Sequence, residues 1–250
     1  LKLTAEVISE DNFKDMLTVS NENSVRAYQE PKRKTIYYGI EQGIEIPKIQ
    51  WKITNDTSTV KNSEINSEYK VVQIAKDDKK TSWDSYVDGK YNPNTKESTQ
   101  TISVRLATGT ETGAGVTDWH DVTLYRDNQA PDATISIVDN KSPMYQFAGK
   151  ITFGLFNKTG FIAKISDLKD KPDKNESGIK QWEYLKINLK TDADFTKDIT
   201  KDEFTSQFAG YTFEMAEGTE KKVNLGAASD PGNFVVFVLV EDKVGNKALY

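Results

Sequence analysis

The sequence predicts an all-β protein made of two tandem β-sandwich domains. Apolar and polar residues alternate in many short runs bounded by Gly, Pro and Asn, which is typical of half-buried strands, and no run keeps a helical period. The halves also resemble each other, because Trp51 and Trp182 lie in similar segments 131 residues apart (182 − 51), close to half of the 250 residues. About seven short strands in each half favour a β-sandwich, with both tryptophans in its core.

The boundary between the two predicted domains, 1–127 and 128–250, follows from the stretch Asp127–Pro131. This polar Asp-Asn-Gln-Ala-Pro segment separates two alternating runs. Proline has no N–H and biases the residue before it toward an extended backbone, so the chain is expected to run on instead of turning back as a hairpin.

Composition excludes several classes of function. Acidic residues (38) and basic residues (33) are interspersed, for a net charge of −5, and no basic block suggests a nucleic-acid partner. Cysteine is absent, which excludes disulfides and thiol chemistry and fits an exported bacterial chain. No apolar run approaches the ~20 residues of a membrane span. The abrupt start at Leu1 and end at Tyr250, without a signal peptide, suggest a fragment of a longer protein.

In the first half, a short helix is predicted near Asn12–Leu17 and a hairpin tip at Thr108–Asp118. β-Branched and aromatic residues mark the strands. The predicted strands are Leu1–Ile8, Thr35–Tyr38, Lys48–Thr54, Tyr69–Ala75, Thr101–Leu106 and His120–Tyr125.

In the second half, a helical turn is predicted within Asp198–Phe208 and a tight turn at Asp242–Asn246. The run Phe234–Val240 is apolar throughout, which predicts a central strand covered on both faces. The other predicted strands are Thr134–Val138, Lys150–Phe153, Phe161–Ser166, Ile179–Ile187, Lys222–Leu225 and Lys247–Tyr250.

Four segments carry a family resemblance. Asp127–Pro131 resembles the junction between bacterial immunoglobulin-like repeats of Gram-positive cell-surface proteins, and Phe147–Phe156 resembles an early strand of those repeats. Val240–Asn246 resembles their closing hairpin, and Trp83–Tyr86 a Trp-x-x-Tyr segment that some repeats carry. The resemblance covers the second half well and the first half in patches, since Thr108–Asp118 replaces a short Gly-Asn turn.

The resemblance implies two tandem immunoglobulin-like β-sandwich domains in an extracellular, cell-wall-associated protein. It implies a stalk or spacer, with adhesion as a further role. The implied partners are neighbouring domains of the same longer chain and a host or cell-wall glycan or protein. The alternative is a carbohydrate-binding accessory module of a secreted glycoside hydrolase. Flanking sequence would discriminate, because further repeats with a sortase signal favour the stalk and a catalytic domain favours the alternative.

The sequence gives little support for catalysis, and we expect no enzyme activity and no catalytic residue. The one histidine, His120, has no cysteine to pair with, and no Gly-x-Ser-x-Gly segment is present. The Gly-rich stretch Thr108–Gly115 lies at a hairpin tip with no helix after it, so it is not a phosphate-binding loop.

Acidic residues suggest a cation site. In an immunoglobulin-like sandwich, one pole would gather Asp127, Asp167 and Asp242, together with other acids of the 167–176 loop. Carboxylates in a cluster repel one another unless a hard cation bridges them, and Ca²⁺ takes six to eight oxygens. Calcium at the domain junction is therefore one hypothesis. The alternative is that Asp127 and Asp242 cap turns while the loop acids remain solvated.

Two further sites are candidates. The hairpin tip ending in Trp119 and His120 is a candidate ligand-binding site, with Trp119 stacking on a sugar ring near Tyr91 or Trp83. The alternative is that Trp119 packs against a neighbouring domain or a sheet edge. A Lys–Asn isopeptide bond between Lys150 or Lys164 and Asn246 is the other candidate, since some pilin modules without disulfides carry such a bond.

Overall fold

A computed structural model describes residues 5–19, 26–30, 35–39, 49–55, 68–94, 96–139, 161–171, 176–188, 212–225 and 234–250. The described chain is all-β, with sixteen strands and one short helix. It divides into two units. Unit 1 is Leu1–Asn128 with two short segments, 172–177 and 243–245; unit 2 is Gln129–Lys171 with Gly178–Asp242 and Asn246–Tyr250.

Unit 1 begins with helix α1, Glu10–Met16, close to the predicted position. The hydroxyl of Ser9 accepts a hydrogen bond from the backbone N–H of Asn12, which caps one of the free donors at the helix start. Phe13 and Met16 are buried, so the helix is fixed to the core of the unit by one apolar side. In the part of the chain that the structure describes, no helix is long and apolar enough to cross a membrane.

The described residues of unit 1 form two sheets. One is three-stranded, in the order β1-β4-β7, and the other is six-stranded, in the order β2-β3-β9-β8-β5-β6. Neighbouring strands are antiparallel except β3 and β9, which are parallel. The strands are β1 Leu17–Val19, β2 Ala27–Gln29, β3 Thr35–Tyr38, β4 Ile49–Ile53, β5 Val71–Ala75, β6 Trp83–Tyr86, β7 Lys90–Tyr91, β8 Thr99–Ala107 and β9 His120–Arg126.

The two sheets of unit 1 share one core. Ile49 and Trp51 from the small sheet belong to the same buried cluster as Val104, Leu106 and Leu124 from the large sheet. Along β9, buried residues alternate with more exposed ones, as the two-residue period of a strand requires. The large sheet therefore has one face against the core and an outer face.

The described part of unit 2 also forms two sheets with a shared core. The orders are β10-β11-β14 and β13-β12-β15-β16. Ile165 and Val223 of the first sheet pack in one buried cluster with Trp182 and Val240 of the second. The strands are β10 Asp132–Asp139, β11 Phe161–Lys169, β12 Ile179–Asn188, β13 Glu214–Met215, β14 Lys221–Asn224, β15 Phe234–Asp242 and β16 Lys247–Leu249.

The predicted first strand, Leu1–Ile8, is wrong in its described part. Residues 5–9 form only one isolated bridge, between Glu6 and Thr117. The alternating pattern placed Val7 on the apolar side, but Val7 is 79% exposed and Ile8 is 2% exposed. One backbone bridge orients this segment, so alternation alone assigned the wrong side chain to the core.

Strand β15 differs from its prediction on one face. It lies between β12 and β16, as a central strand should. Val238 and Val240 are fully buried, whereas Phe237 and Leu239 are half-buried. A wholly apolar run does not show whether a second layer covers its other face. The predicted strand Lys150–Phe153 and helical turn within Asp198–Phe208 lie outside the described residues.

The two tryptophans that suggested a repeat occupy different strands. Both are buried and face their cores, as predicted. Trp51 lies in β4, the middle strand of a three-stranded sheet, and Trp182 lies in β12 of a four-stranded sheet. Aligning the halves on these residues is therefore wrong, because any inward position can hold a large core side chain.

Candidate functional site

The outer face of the six-stranded sheet carries polar and aromatic side chains. Gln73 of β5 is paired with Arg105 of β8 and with Ser85 of β6, and residues directly opposite one another share a face. Their strand neighbours Val72 and Val104 are buried in the core, so these three side chains point the other way. Three adjacent strands thus place their polar side chains together.

Arg105 lies between two indole rings. Its guanidinium carbon is 4.3 Å from the ring centroid of Trp83 and 4.4 Å from that of Trp119. The centroids of the two indole rings are 6.4 Å apart, and the ring planes make an angle of 60°. Arg105 Nε donates to Gln73 Oε1 (2.8 Å), and Gln73 Nε2 donates to Ser85 Oγ (3.3 Å). These five residues are called the Arg105 cluster below.

The Arg105 cluster is partly open to solvent. Trp83 is 40% exposed, which is high for a side chain of its size, while Arg105 and Trp119 are half-buried. Burial lowers the pKa of the Arg105 guanidinium from its usual value, but a guanidinium remains charged. The arrangement presents a fixed positive charge beside an accessible aromatic surface.

The loop between β5 and β6 positions Trp83. The Asp77 carboxylate accepts hydrogen bonds from the backbone N–H groups of Thr81 (3.2 Å) and Ser82 (3.0 Å) and from both hydroxyls. These bonds lower the pKa of Asp77 to about 2. Lys80 adopts a positive φ of 57°, which closes the turn. The next strand then begins directly at Trp83.

The predicted ligand-binding pair, Trp119 and His120, is separated by the fold. Trp119 packs on Arg105 at the outer face, whereas His120 is 7% exposed and stacks on Phe13 at a centroid distance of 4.0 Å. His120 Nε2 lies 3.0 Å from Asp118 Oδ1. Successive residues of an extended chain point to opposite sides, so one face cannot present both rings.

Of the two aromatic neighbours proposed for Trp119, Trp83 is the one that lies beside it. Tyr91 instead packs edge-on against Tyr86, with ring centroids 5.7 Å apart, beside the core. Sequence reasoning missed Arg105. The available signal was the two-residue alternation of the strand. Arg105 lies between the apolar residues Val104 and Leu106, so its side chain is expected on the opposite face.

The predicted metal ligands have different surroundings. In unit 1, Asp127 is buried, and its carboxylate accepts from the backbone N–H of Ser177, which belongs to the same unit (2.8 Å). In unit 2, Asp167 is exposed, has a φ of 54° and accepts from the hydroxyl of Ser166 (3.0 Å). Asp167 is thus a solvent-exposed acid within β11, at the register shift in its pairing with β10.

Asp242 is fully buried in unit 2 and caps its own turn. Its two oxygens accept from the backbone N–H (2.8 Å) and side-chain amide (2.7 Å) of Asn246. Asp170, which is 4% exposed, accepts from the backbone N–H groups of Lys171 (2.8 Å) and Gly178 (2.6 Å). Oxygens of Asp170 and Asp242 lie within 4.8 Å of each other, so the acid that accompanies Asp242 in unit 2 is Asp170.

The proposed isopeptide lysine Lys164 forms an ion pair. Its Nζ lies 2.9 Å from Glu220, and the hydrogen bond to that carboxylate raises the pKa of Lys164. Attack on an amide carbon requires a neutral amine, so this ion pair disfavours the reaction at Lys164. Lys150 lies outside the described residues.

No protein-family model matches the sequence, and comparison with curated proteins gives no significant match. The family resemblance rests on the four segments quoted above. Phe147–Phe156 lies outside the described residues, while Trp83–Tyr86 forms a strand and Val240–Asn246 contains the turn after β15.

Proposed function

We propose that the chain is a non-catalytic extracellular module of a bacterial cell-surface protein, with two immunoglobulin-like sandwiches acting as a stalk or spacer. The observation that carries the proposal is strand order. Lettered along the chain, the strands of unit 2 give A-B-E in one sheet and C′-C-F-G in the other, an order that favours an immunoglobulin-like sandwich. Trp182 then lies buried on strand C, where that fold has its core tryptophan.

Unit 1 supports the same assignment. Strands β1, β4 and β7 take the A-B-E positions, and β6, β5, β8 and β9 take C′-C-F-G. The hairpin of β2 and β3 extends this second sheet beside β9. Two modules of one design in a single chain are what a spacer built from repeats requires.

The surroundings of the histidine support a non-catalytic role. His120 is the one histidine of the chain, and it is buried against Phe13. Its position in the core gives it a packing role, whereas a general base must reach a substrate.

Single-molecule stretching of the chain tests the spacer proposal. We expect two all-or-none unfolding events, each releasing roughly 40 nm of contour length from about 120 residues. One gradual extension at low force would argue against load-bearing modules. The flanking gene sequence provides an independent test, because a hydrolase domain next to this segment would favour the alternative role.

A second candidate function is carbohydrate binding, the accessory-module alternative. Exposed Trp83 beside Trp119 favours it, because sugar rings stack on indoles, and the exposed Ser85 supplies a hydroxyl on the same face. Binding to immobilised glycans that is lost in Trp83→Ala would support this function. Binding that survives the substitution would remove the Arg105 cluster from it.

A further inference from the structure

The guanidinium of Arg105 has no acidic partner among the described residues. Its one protein hydrogen bond there runs from Nε to Gln73, and no carboxylate of that part of the chain lies within ion-pair distance. Two lysines of the β5–β6 loop differ: Lys76 lies 2.6 Å from Asp84, and Lys80 lies 3.6 Å from Asp121. Within the described chain, Arg105 is therefore a half-buried cation of this face whose charge no carboxylate balances.

A half-buried charge without a counter-ion is costly unless something stabilises it. Two indole faces provide cation–π attraction, and the bond to Gln73 fixes the orientation of the planar group. The Nη1 and Nη2 donors remain without a protein acceptor in the described chain. A guanidinium held in this way is prepared to bind an oxyanion through two parallel hydrogen bonds.

We propose that the Arg105 cluster binds a carboxylate-bearing saccharide, with the sugar ring against Trp83 and the carboxylate on Arg105. This inference rests on the carbohydrate-binding candidate function and specifies its ligand class. A neutral sugar would leave the charge unbalanced, and a small inorganic anion would not use the exposed indole. Nearby Asp121 is engaged by Lys80 and by the Ser103 hydroxyl (2.5 Å), which limits its repulsion of an acidic ligand.

The chain as a whole does not attract anions, because its net charge is −5. Binding of an acidic sugar would consequently depend on this local cation. It would also weaken with added salt, because part of the attraction is Coulombic and the site is open to solvent.

The test is titration of the whole chain with oligogalacturonate and with the same oligosaccharide after methyl esterification, which removes the charge and keeps the rings. A glycan panel containing other hexuronic and sialic acids and their neutral counterparts extends the test. We expect acidic ligands to bind at least tenfold more tightly than their neutral forms, with affinity that falls as salt is raised.

Variants separate the contributions. Arg105→Gln should lower affinity for acidic ligands at least tenfold, and Arg105→Lys should give an intermediate loss because it keeps the charge without the planar group. Lys76→Gln, which removes one positive charge at the end of the same sheet, should stay within about twofold. Thermal melting of each variant verifies that the fold is retained.

The outcomes are distinguishable. One result would be equal affinity for the acidic and neutral forms, with binding lost in Trp83→Ala and kept in Arg105→Gln. That result would overturn the inference and leave carbohydrate binding standing. Acidic binding unchanged in Arg105→Gln would overturn it as well. No binding to any glycan of the panel would overturn both this inference and the carbohydrate-binding function.

Discussion

The phenolic oxygen of Tyr250 lies 2.7 Å from the carbonyl oxygen of Pro131, 119 residues earlier in the chain. Its single proton is shared with the carboxylate of Asp132, 2.9 Å away. Tyr250 follows β16, and Pro131 precedes β10, which belongs to the other sheet of unit 2. One hydrogen-bonding group thus joins the end of one sheet to the start of the other.

Replacing Tyr250 by Phe should destabilise unit 2 by about 1 kcal/mol, the usual net value of one hydrogen bond. Denaturant unfolding of the variant measures the change. Tyr125→Phe is the matched control, because that ring stacks on Tyr37 and its hydroxyl has no hydrogen bond among the described residues. If Tyr125→Phe lowers the free energy of unfolding as much as Tyr250→Phe does, the bond to Pro131 contributes nothing specific.

Alkaline pH should destabilise both units. Burial raises the pKa of Tyr91 from 10.0 to about 12, and burial with the bond to Asp132 raises the pKa of Tyr250 to about 12. A raised pKa means that the native state resists ionisation, so its contribution is complete below pH 10 and is lost between 10 and 12. Phenolate absorbance during a pH titration should show these groups ionising late. Ionisation of both Tyr91 and Tyr250 near pH 10 would contradict the prediction.

The two core tryptophans should differ in how much stability the protein loses when each is replaced by Phe. Trp182 Nε1 donates to the carbonyl of Gly218 (2.8 Å), whereas the buried Nε1 of Trp51 has no partner among the described residues. Both substitutions shrink a core side chain, but only Trp182→Phe also loses a hydrogen bond. It should cost about 1 kcal/mol more than Trp51→Phe. Scanning calorimetry of both variants measures this, and equal losses would contradict the expected difference.

The Asp77 loop should lose stability in acid. Because its hydrogen bonds lower the pKa from 3.8 to about 2, the contribution of Asp77 is complete above pH 3.8 and lost as the pH falls through about 2. Asp77→Asn should lower the melting temperature at neutral pH and have little effect near pH 2. Asp78→Asn, at an exposed neighbouring position, is the control. A carboxyl resonance of Asp77 that titrates near 3.8 would refute the prediction.

Calcium should stabilise unit 2 through Asp170 and Asp242. Two buried carboxylates within 4.8 Å repel each other, and a bound cation would relieve that repulsion. At a hundredfold excess over its Kd, a ligand stabilises the native state by about 2.7 kcal/mol. The increase in melting temperature should vanish in Asp170→Asn and persist in Asp167→Asn. Absence of any shift at millimolar calcium would end the hypothesis.

Most strands could be predicted because their signals are local. Thr35–Tyr38 matches β3, and the strand predicted at His120–Tyr125 ends one residue before β9 does. Alternation with β-branched and aromatic residues identifies such segments without knowledge of their partners. The same local signal failed at residues 5–8, the described part of the predicted strand Leu1–Ile8, because alternation does not reveal which side faces a core or whether a neighbouring strand exists.

The candidate site could be predicted only in part. Trp119 stood out because it ends a long hairpin tip, and Trp83 was proposed as its neighbour, whereas Arg105 looks like any polar residue of an alternating strand. Its position between two indoles depends on the pairing of β8 with β5 and of β5 with β6, which brings together residues far apart in the chain.

The sequence by itself determined the all-β class, the inward-facing tryptophans, the helix near Asn12 and the tight turn at Asp242–Asn246, since each depends on period, capping or turn chemistry within a few residues. Tertiary structure alone decided that Trp51 and Trp182 occupy different strands, that His120 belongs to a core and that Arg105 lies against Trp83 and Trp119. Those outcomes depend on strand order and on which face of each sheet is covered, and both are fixed by contacts between distant segments.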